Sequence, residues 1–329
     1  MQKIFLNVFG IRVCITTALD DFAEFVRQNY HCFQGNSESN PDVEVLFSEE
    51  AGDRSCIDAG IQYDAGMGIK IGKQKLYWEN EYGYRTLVTL KEGGGYSILA
   101  FHYDILREQE IEKRYQNFQR SMRWCIHFPI FVLLQERLGW RLIHASAVVK
   151  NGKALVFCGL NKVGKSTLAM YLCKRDHFSF MTDNFLFVSQ KMVYGFPEVL
   201  RVSPETMSRL GLQSTLDYRV YGKHHVPLDS VGICLKAQPI IFFLLTVGKK
   251  HNLAEVEPSQ ALGMVDGISA FLREFPESSY LSMLPFIKNE PVINHSSLSI
   301  IRDDVKWYHL SFPMDWNLEK VSEVIKECT

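Results

Sequence analysis

The run from Gly159 to Ser166, GLNKVGKS, fits the pattern G-x-x-x-x-G-K-[ST] in full. No other feature constrains the fold as tightly, because such a loop works only between a buried strand and the first turn of a helix. Both flanks meet that condition: Ala154 to Cys158 reads as an apolar strand, and Ser166 to Lys174 has the pattern of an amphipathic helix. Such a loop holds the oxygens of a nucleoside triphosphate with backbone N–H groups that all point inward. Gly159 and Gly164 permit the backbone angles of that nest and let it approach closely. Lys165 then supplies a point charge to the β and γ phosphates, Ser166 offers its hydroxyl to Mg²⁺, and the helix directs its positive end at the anion. The expected contacts are Gly159, Asn161, Lys162, Val163, Gly164, Lys165, Ser166 and Thr167.

The rest of the composition narrows the partners. A chain of 329 residues with a 47% hydrophobic fraction can build one large or two ordinary domains. Its 36 basic and 37 acidic residues nearly cancel, so bulk electrostatics call for neither nucleic acid nor an anionic membrane surface. The eight cysteines are scattered, with no CxxC and no Cys/His ligand spacing, as reduced and mostly buried thiols of an intracellular protein would be. The apolar stretches Pro239 to Val247 and Ile130 to Leu134 fall far short of the ~20 residues a membrane span needs. Near the start, Asn7 and Arg12 interrupt the apolar run, which reads as a strand and not as a leader. A soluble, cytoplasmic protein is the expectation.

Two parts are expected, residues 1–139 and residues 140–329, with the boundary near Gly139. In the first part, residues 2 to 17 read as one or two strands and Leu19 to Tyr30 as a helix. Further strands are expected at Val43 to Phe47, Gly68 to Ile71, Lys75 to Trp78, Tyr84 to Leu90 and Tyr96 to Phe101. These make a smaller, mostly antiparallel β domain. A long linking helix is expected from about Ile105 to Leu138, kinked or split by Pro129. In the second part, Asn151-Gly152 is a type I′ hairpin signal between Leu142 to Val149 and Ala154 to Cys158. Phe178 to Met181, Phe185 to Val188 and Val193 to Phe196 read as three strands, and Pro239 to Val247 as a strand buried on both faces. Gln260 to Phe271 and Leu318 to Lys326 have helical spacing. The expected class is α/β with a mixed sheet.

Several residues near the loop bear on its chemistry. His144, in LIHASAVV, lies on the strand that a hairpin would return beside the P-loop strand. Asp183, in FMTDNF, is expected at the end of the strand after the P-loop helix, where a parallel βαβ unit delivers side chains to the phosphates. In GFPEVLRV, Glu198 is a candidate metal ligand and Arg201 a candidate phosphate or substrate contact; the plainer reading is a Pro-Glu turn and a surface arginine. His224 and His225 beside Lys223 and Arg219 form a basic spot that could meet a phosphate or an acidic substrate, or be a solvated loop.

The order and spacing of the strand His144 to Val149, the P-loop, an aspartate 17 residues past Ser166, and YGFPE at Tyr194 to Glu198 resemble a known family. It is the kinase domain of HPr kinase/phosphorylase and the wider HPr-kinase-like group, whose fold is related to that of phosphoenolpyruvate carboxykinase. The resemblance covers residues 140–200, with a looser likeness from Leu216 to Cys234 and on into the strand at Pro239. It implies an ATP-dependent phosphotransferase, a P-loop (Walker A) kinase using ATP and Mg²⁺. Such an enzyme moves the γ-phosphoryl group to a hydroxyl, usually serine, of a protein, peptide or small molecule, with the first domain contributing recognition. Carried over by position, His144 matches the family histidine, Lys165 and Ser166 the P-loop lysine and metal-ligating serine, and Asp183 the second aspartate of a doublet. The first, the family's usual base, is Thr182 here. With a one-residue gap, Asp183 becomes the first and Asn184 replaces the second.

One carboxylate is missing either way, so Asp183 and His144 must share the work of base and metal ligand. The favoured assignment is Asp183 as base with His144 assisting; the other has His144 as base. The same loss motivates a different class of function, a nucleotide-binding accessory module that presents a peptide or partner without catalysis. The phosphorylase activity of the namesake enzymes is not carried over, and their rings leave a homo-oligomer open.

Overall fold

The computed structural model describes residues 1–36, 40–48, 61–66, 68–79, 84–102, 108–213, 219–226, 231–270, 288, 301, 304–313 and 316–328. Its contacts divide into two compact units, Met1–Leu138 with Glu274–Asn294, and Gly139–Arg273 with His295–Thr329.

In the first unit, buried residues alternate along β1 (Gln2–Val8) and β2 (Ile11–Thr17), the period of strands covered on one face. The helix α1 (Asp20–Asn29) buries Phe22, Phe25 and Val26, at the spacing of a single helical stripe. It carries the chain to β3 (Val43–Ser48), and the remaining strands are β4 (Ile61–Gly66), β5 (Ile69–Gly72), β6 (Lys75–Glu79), β7 (Tyr84–Leu90) and β8 (Tyr96–His102). They form an eight-stranded sheet in the order β1-β2-β3-β8-β7-β6-β5-β4. Most pairs are antiparallel as expected, but β3 runs parallel to both β2 and β8. The crossover through α1 accounts for the first of these, since a parallel neighbour needs a connection long enough to return the chain.

The linking helix starts later than its pattern suggests. Residues 103–107 lie outside the described ones, Glu110 is extended, and α2 spans Ile111–Met122. A five-residue π turn, Arg123–His127, then leads into α3 (Phe128–Leu138). Pro129 sits in the first turn of α3. It has no N–H for the carbonyl of Cys125, and the widened turn holding Cys125 absorbs the mismatch.

The second unit starts with β9 (Arg141–Lys150) and β10 (Lys153–Cys158), joined by Asn151 and Gly152 at φ +52° and +73°, the type I′ turn that the dipeptide signals. There follow α4 (Lys165–Asp176), β11 (Ser179–Val188), β12 (Val193–Gly195), β13 (Leu200–Val202), α5 (Pro204–Leu210), β14 (Arg219–Val220) and β15 (Lys223–Val226). The last elements are β16 (Lys236–Val247), β17 (Asn252–Glu255), α6 (Pro258–Ala270), β18 (Lys306–Phe312) and α7 (Leu318–Glu327). The main sheet has the order β10-β9-β11-β12-β16-β18-β17, with β16 also parallel to β10 and to β18. A smaller sheet has the order β13-β15-β14. The apolar run at Pro239 is thus a strand covered on both faces. Phe243 and Leu245 pack toward Leu168 of α4 and Val321 of α7, while Phe242 and Leu244 pack toward Ala261 and Val265 of α6. Each fully buried phenylalanine contributes about 2 kcal/mol by area.

Two expectations are corrected here. Phe178 to Met181 and Phe185 to Val188 are not separate strands: β11 runs unbroken from Ser179 to Val188, so Asp183 is inside a strand and not at its end. The βαβ geometry itself holds, because β11 and β10 both run antiparallel to the intervening β9. The register of β11 against β9 slips between Phe180 and Thr182. Phe180 pairs with Val148 and Asp183 with Ser146, so two residues an odd number apart face the same side. That side is the one covered by α4, where Val148 and Phe180 join the core.

Candidate functional site

The P-loop leaves β10 at Cys158 and is pressed close to its neighbours at both glycines. At Gly159, φ is +156°, and a Cβ would lie 2.7 Å from the carbonyl oxygen of Leu245 on β16. At Gly164, φ is +95°, and a Cβ would lie 2.9 Å from Cζ2 of Trp316. Neither position can take a side chain without moving backbone or a buried ring. Lys162, at φ +65°, also adopts the left-handed conformation. Lys165 folds back over the loop, donating from Nζ to the carbonyls of Gly159 (2.8 Å) and Leu160 (2.9 Å). Burial lowers its pKa, Asp183 opposes that, and the ammonium of Lys223 adds to the lowering.

Asp183 is where the elements meet. Ser166, in the first turn of α4, donates from Oγ to Asp183 Oδ1 at 2.7 Å. Ser146, the register partner of Asp183 on β9, donates its hydroxyl to the same oxygen. Oδ2 accepts no hydrogen bond from any described residue. Thr182, one residue earlier, is fully buried and donates to the carbonyls of Phe185 (2.9 Å) and Phe196 (3.0 Å), away from the loop.

His144 lies two residues before Ser146 on the same face of β9. Its Nδ1 sits 3.2 Å from the carbonyl oxygen of Asn184, which fixes a proton on that nitrogen, and the side chain of Asn161 reaches the ring. Burial pushes its pKa down to about 4, Lys165 pushes the same way, and Asp183 opposes both, so the imidazole is neutral at neutral pH.

Glu198 and Arg201 are not surface residues. Glu198 is 5% exposed, and its Oε2 accepts from Asn184 Nδ2 at 3.3 Å and from Arg201 Nη2 at 3.4 Å. The expected metal ligands therefore separate: Ser166 and Asp183 come together, while Glu198 is engaged by an amide and a guanidinium. Asn184 has φ +152°, outside the ordinary regions for a residue with a side chain, which costs about 1–3 kcal/mol. Thr167 turns its hydroxyl to Thr206 of α5 at 3.0 Å. Asn161 and Lys162 are exposed on the loop, and Val163 and Gly164 half-buried. His225 is buried in the smaller sheet, not on a solvated loop.

Among the described residues, no three His, Cys, Asp or Glu side chains cluster as metal ligands. Mg²⁺ takes one or two carboxylates with phosphate and water oxygens, and the Ser166 hydroxyl beside the Asp183 carboxylate is a donor pair of that kind. Two contributors escaped the sequence reading. Ser146 follows His144 at the two-residue spacing of a strand and was legible in principle; Trp316 lies 152 residues beyond Gly164 with no local signal.

No family model matches the chain, and no curated protein matches it. Among solved structures it is similar to the structure of the HPr(Ser) kinase/phosphatase from Coxiella burnetii, at 10% identity and a TM-score of 0.28, over 57% of this chain and 95% of that one. Likeness at that level carries neither fold nor function, and the site stands on its own geometry. Among the described residues, no helix is long and apolar enough to cross a membrane.

Proposed function

We propose that the chain binds Mg²⁺·ATP at Gly159 to Thr167 and transfers the γ-phosphoryl group to a hydroxyl of a protein, peptide or metabolite. The observation that carries this reading is the 2.7 Å contact between Ser166 and Asp183, beside a lysine held over its own loop. Loop amides and Lys165 orient the phosphates. Ser166 and Asp183 Oδ1 would hold the cation, which neutralises charge on the β and γ oxygens. Asp183 Oδ2 takes the acceptor's proton as the acceptor oxygen bonds to phosphorus and the β–γ bridge breaks, releasing ADP. His144, neutral and bound to the backbone of Asn184, holds the strand beside Asp183 in place. Calorimetry with Mg²⁺·ATP and Mg²⁺·GTP tests binding, and γ-labelled ATP with candidate acceptors tests transfer. No heat with either nucleotide would overturn the reading.

A second reading rests on Thr182 turning into the core and Asn184 carrying an amide, which leaves one carboxylate at Ser166. A nucleotide-binding accessory module needs no base. Under that reading Asp183→Asn keeps biological activity while Lys165→Ala abolishes it; loss in both variants rejects it.

A further inference from the structure

Gly164 is the N-cap of α4, and its carbonyl accepts the first helical bond, from the N–H of Leu168 at 2.9 Å. The N–H groups that open a helix have no acceptor within it, and they are the ones a phosphate meets. At φ +95° the glycine has a freedom closed to other residues, so an unsupported bend would become ordered only as the anion bound. Trp316 supplies the support. A Cβ on Gly164 would lie 2.9 Å from Cζ2 of Trp316 and 3.5 Å from Cε2 and Cη2, so one edge of the indole runs along the bend.

Trp316 is itself held from several directions. Its ring stacks on that of Phe312, the last residue of β18, with centroids 4.2 Å apart and planes at 17°. Its N–H donates to the carbonyl of Pro313 at 3.2 Å, and the next residue, Asn317, accepts from the N–H groups of Glu319 and Lys320 to cap α7. The guanidinium of Arg209 lies over the indole, 5.5 Å from its centre, and Nη2 of the same residue donates to the carbonyl of Trp316. A cation over an aromatic face and a charge-assisted hydrogen bond thus act together on one residue.

Arg209 belongs to α5, and three residues earlier, on the same side of that helix, Thr206 meets Thr167 of α4 at 3.0 Å. The short helix therefore reaches the first turn of α4 twice, directly at Thr167 and through Trp316 at Gly164. Its own ends are closed. Ser203 Oγ accepts from the N–H of Thr206 at 3.2 Å at the start, and Gly211 at φ +57° ends the last turn.

Resting on the nucleotide reading above, we propose that Trp316, held by Arg209, is a positioning residue for the phosphate loop and keeps the Gly164 bend in place before the nucleotide arrives. It touches no phosphate. By fixing the bend in advance it removes the ordering entropy that a slack loop would lose on binding. The loop amides serve phosphates that ADP and ATP share, so both nucleotides depend on the support alike.

The test is calorimetry on the full chain with Mg²⁺·ATP and with Mg²⁺·ADP, for wild type, Trp316→Phe, Arg209→Gln and Arg209→Lys. Trp316→Phe keeps a ring for Phe312 and withdraws the edge at Gly164, and Arg209→Gln removes a cation from an exposed position. Each should weaken both nucleotides about 10-fold, the scale of ordering one backbone residue, with the ratio of the two affinities unchanged. Arg209→Lys keeps a cation over the indole and should recover most of the loss, which a general loosening of the fold would not allow. The melting temperature of Arg209→Gln should stay close to that of wild type. Unchanged affinity in either variant, a loss confined to ATP, a loss that Arg209→Lys does not recover, or one that follows a fall in melting temperature overturns the role of Trp316 and leaves the nucleotide reading standing. Wild type that binds neither nucleotide overturns the nucleotide reading and this role with it.

Discussion

Ser166 Oγ and Ser146 Oγ both donate to Oδ1 of Asp183, one from the helix after the P-loop and one from the neighbouring strand. One carboxylate oxygen thus accepts both hydroxyls; under the proposed transfer that oxygen faces the cation and the other takes the acceptor's proton.

Asp183→Asn should reduce phosphoryl transfer by about 10²–10⁴-fold, the range of a lost general base, while ATP binding falls much less. Single-turnover kinetics with calorimetry on the same preparation separates the two. Parallel loss of binding and transfer would place Asp183 wholly on the cation.

Ser146→Ala removes one of the two hydroxyls on Oδ1 and leaves the loop untouched. We expect turnover to drop about 10-fold with KM for ATP nearly constant, as for a lost hydrogen bond to a charged group. A changed KM with constant kcat would argue against a positioning role.

Gly164→Ala should destabilise the second unit by about 1–2 kcal/mol from its left-handed backbone alone, with Trp316 adding to the effect. Denaturant unfolding followed by tryptophan fluorescence reads both. Full stability with unchanged nucleotide affinity would show the loop less constrained than its contacts imply.

The pH dependence has a definite sign. Burial holds His144 and His225 at about 4, below the ordinary 6.5, so between these values the unfolded chain binds more protons than the folded one. Stability from these groups is complete above pH 6.5 and falls as pH drops toward 4. Histidine NMR resonances should leave both rings neutral at pH 5.5, and kcat/KM should show no inflection near 6.5 from His144. Titration of either ring near 6.5 would contradict this.

The P-loop and its flanks were legible because each depends on neighbours in sequence: a strand of apolar residues, glycines at the bends, a helix at once. The Asn151-Gly152 turn was legible for the same reason. What the sequence hid was set by distant partners. Whether Asp183 or Thr182 faces Ser166 depends on a register slip against β9. The burial of Glu198 depends on Asn184 and Arg201, and the packing on Gly164 comes from Trp316. The π turn before Pro129 is a backbone remedy that the proline alone foretells only as a break.

The slip in β11 makes the chemistry a matter of parity. Because side chains alternate along a strand, a pairing shifted by one residue, with Thr182 opposite Ser146, would turn the carboxylate to the other face and bring a threonine round to the loop. The glycine-lysine-serine signature would survive such a change letter for letter, and a search for it would report a working site in a chain that had lost its acid.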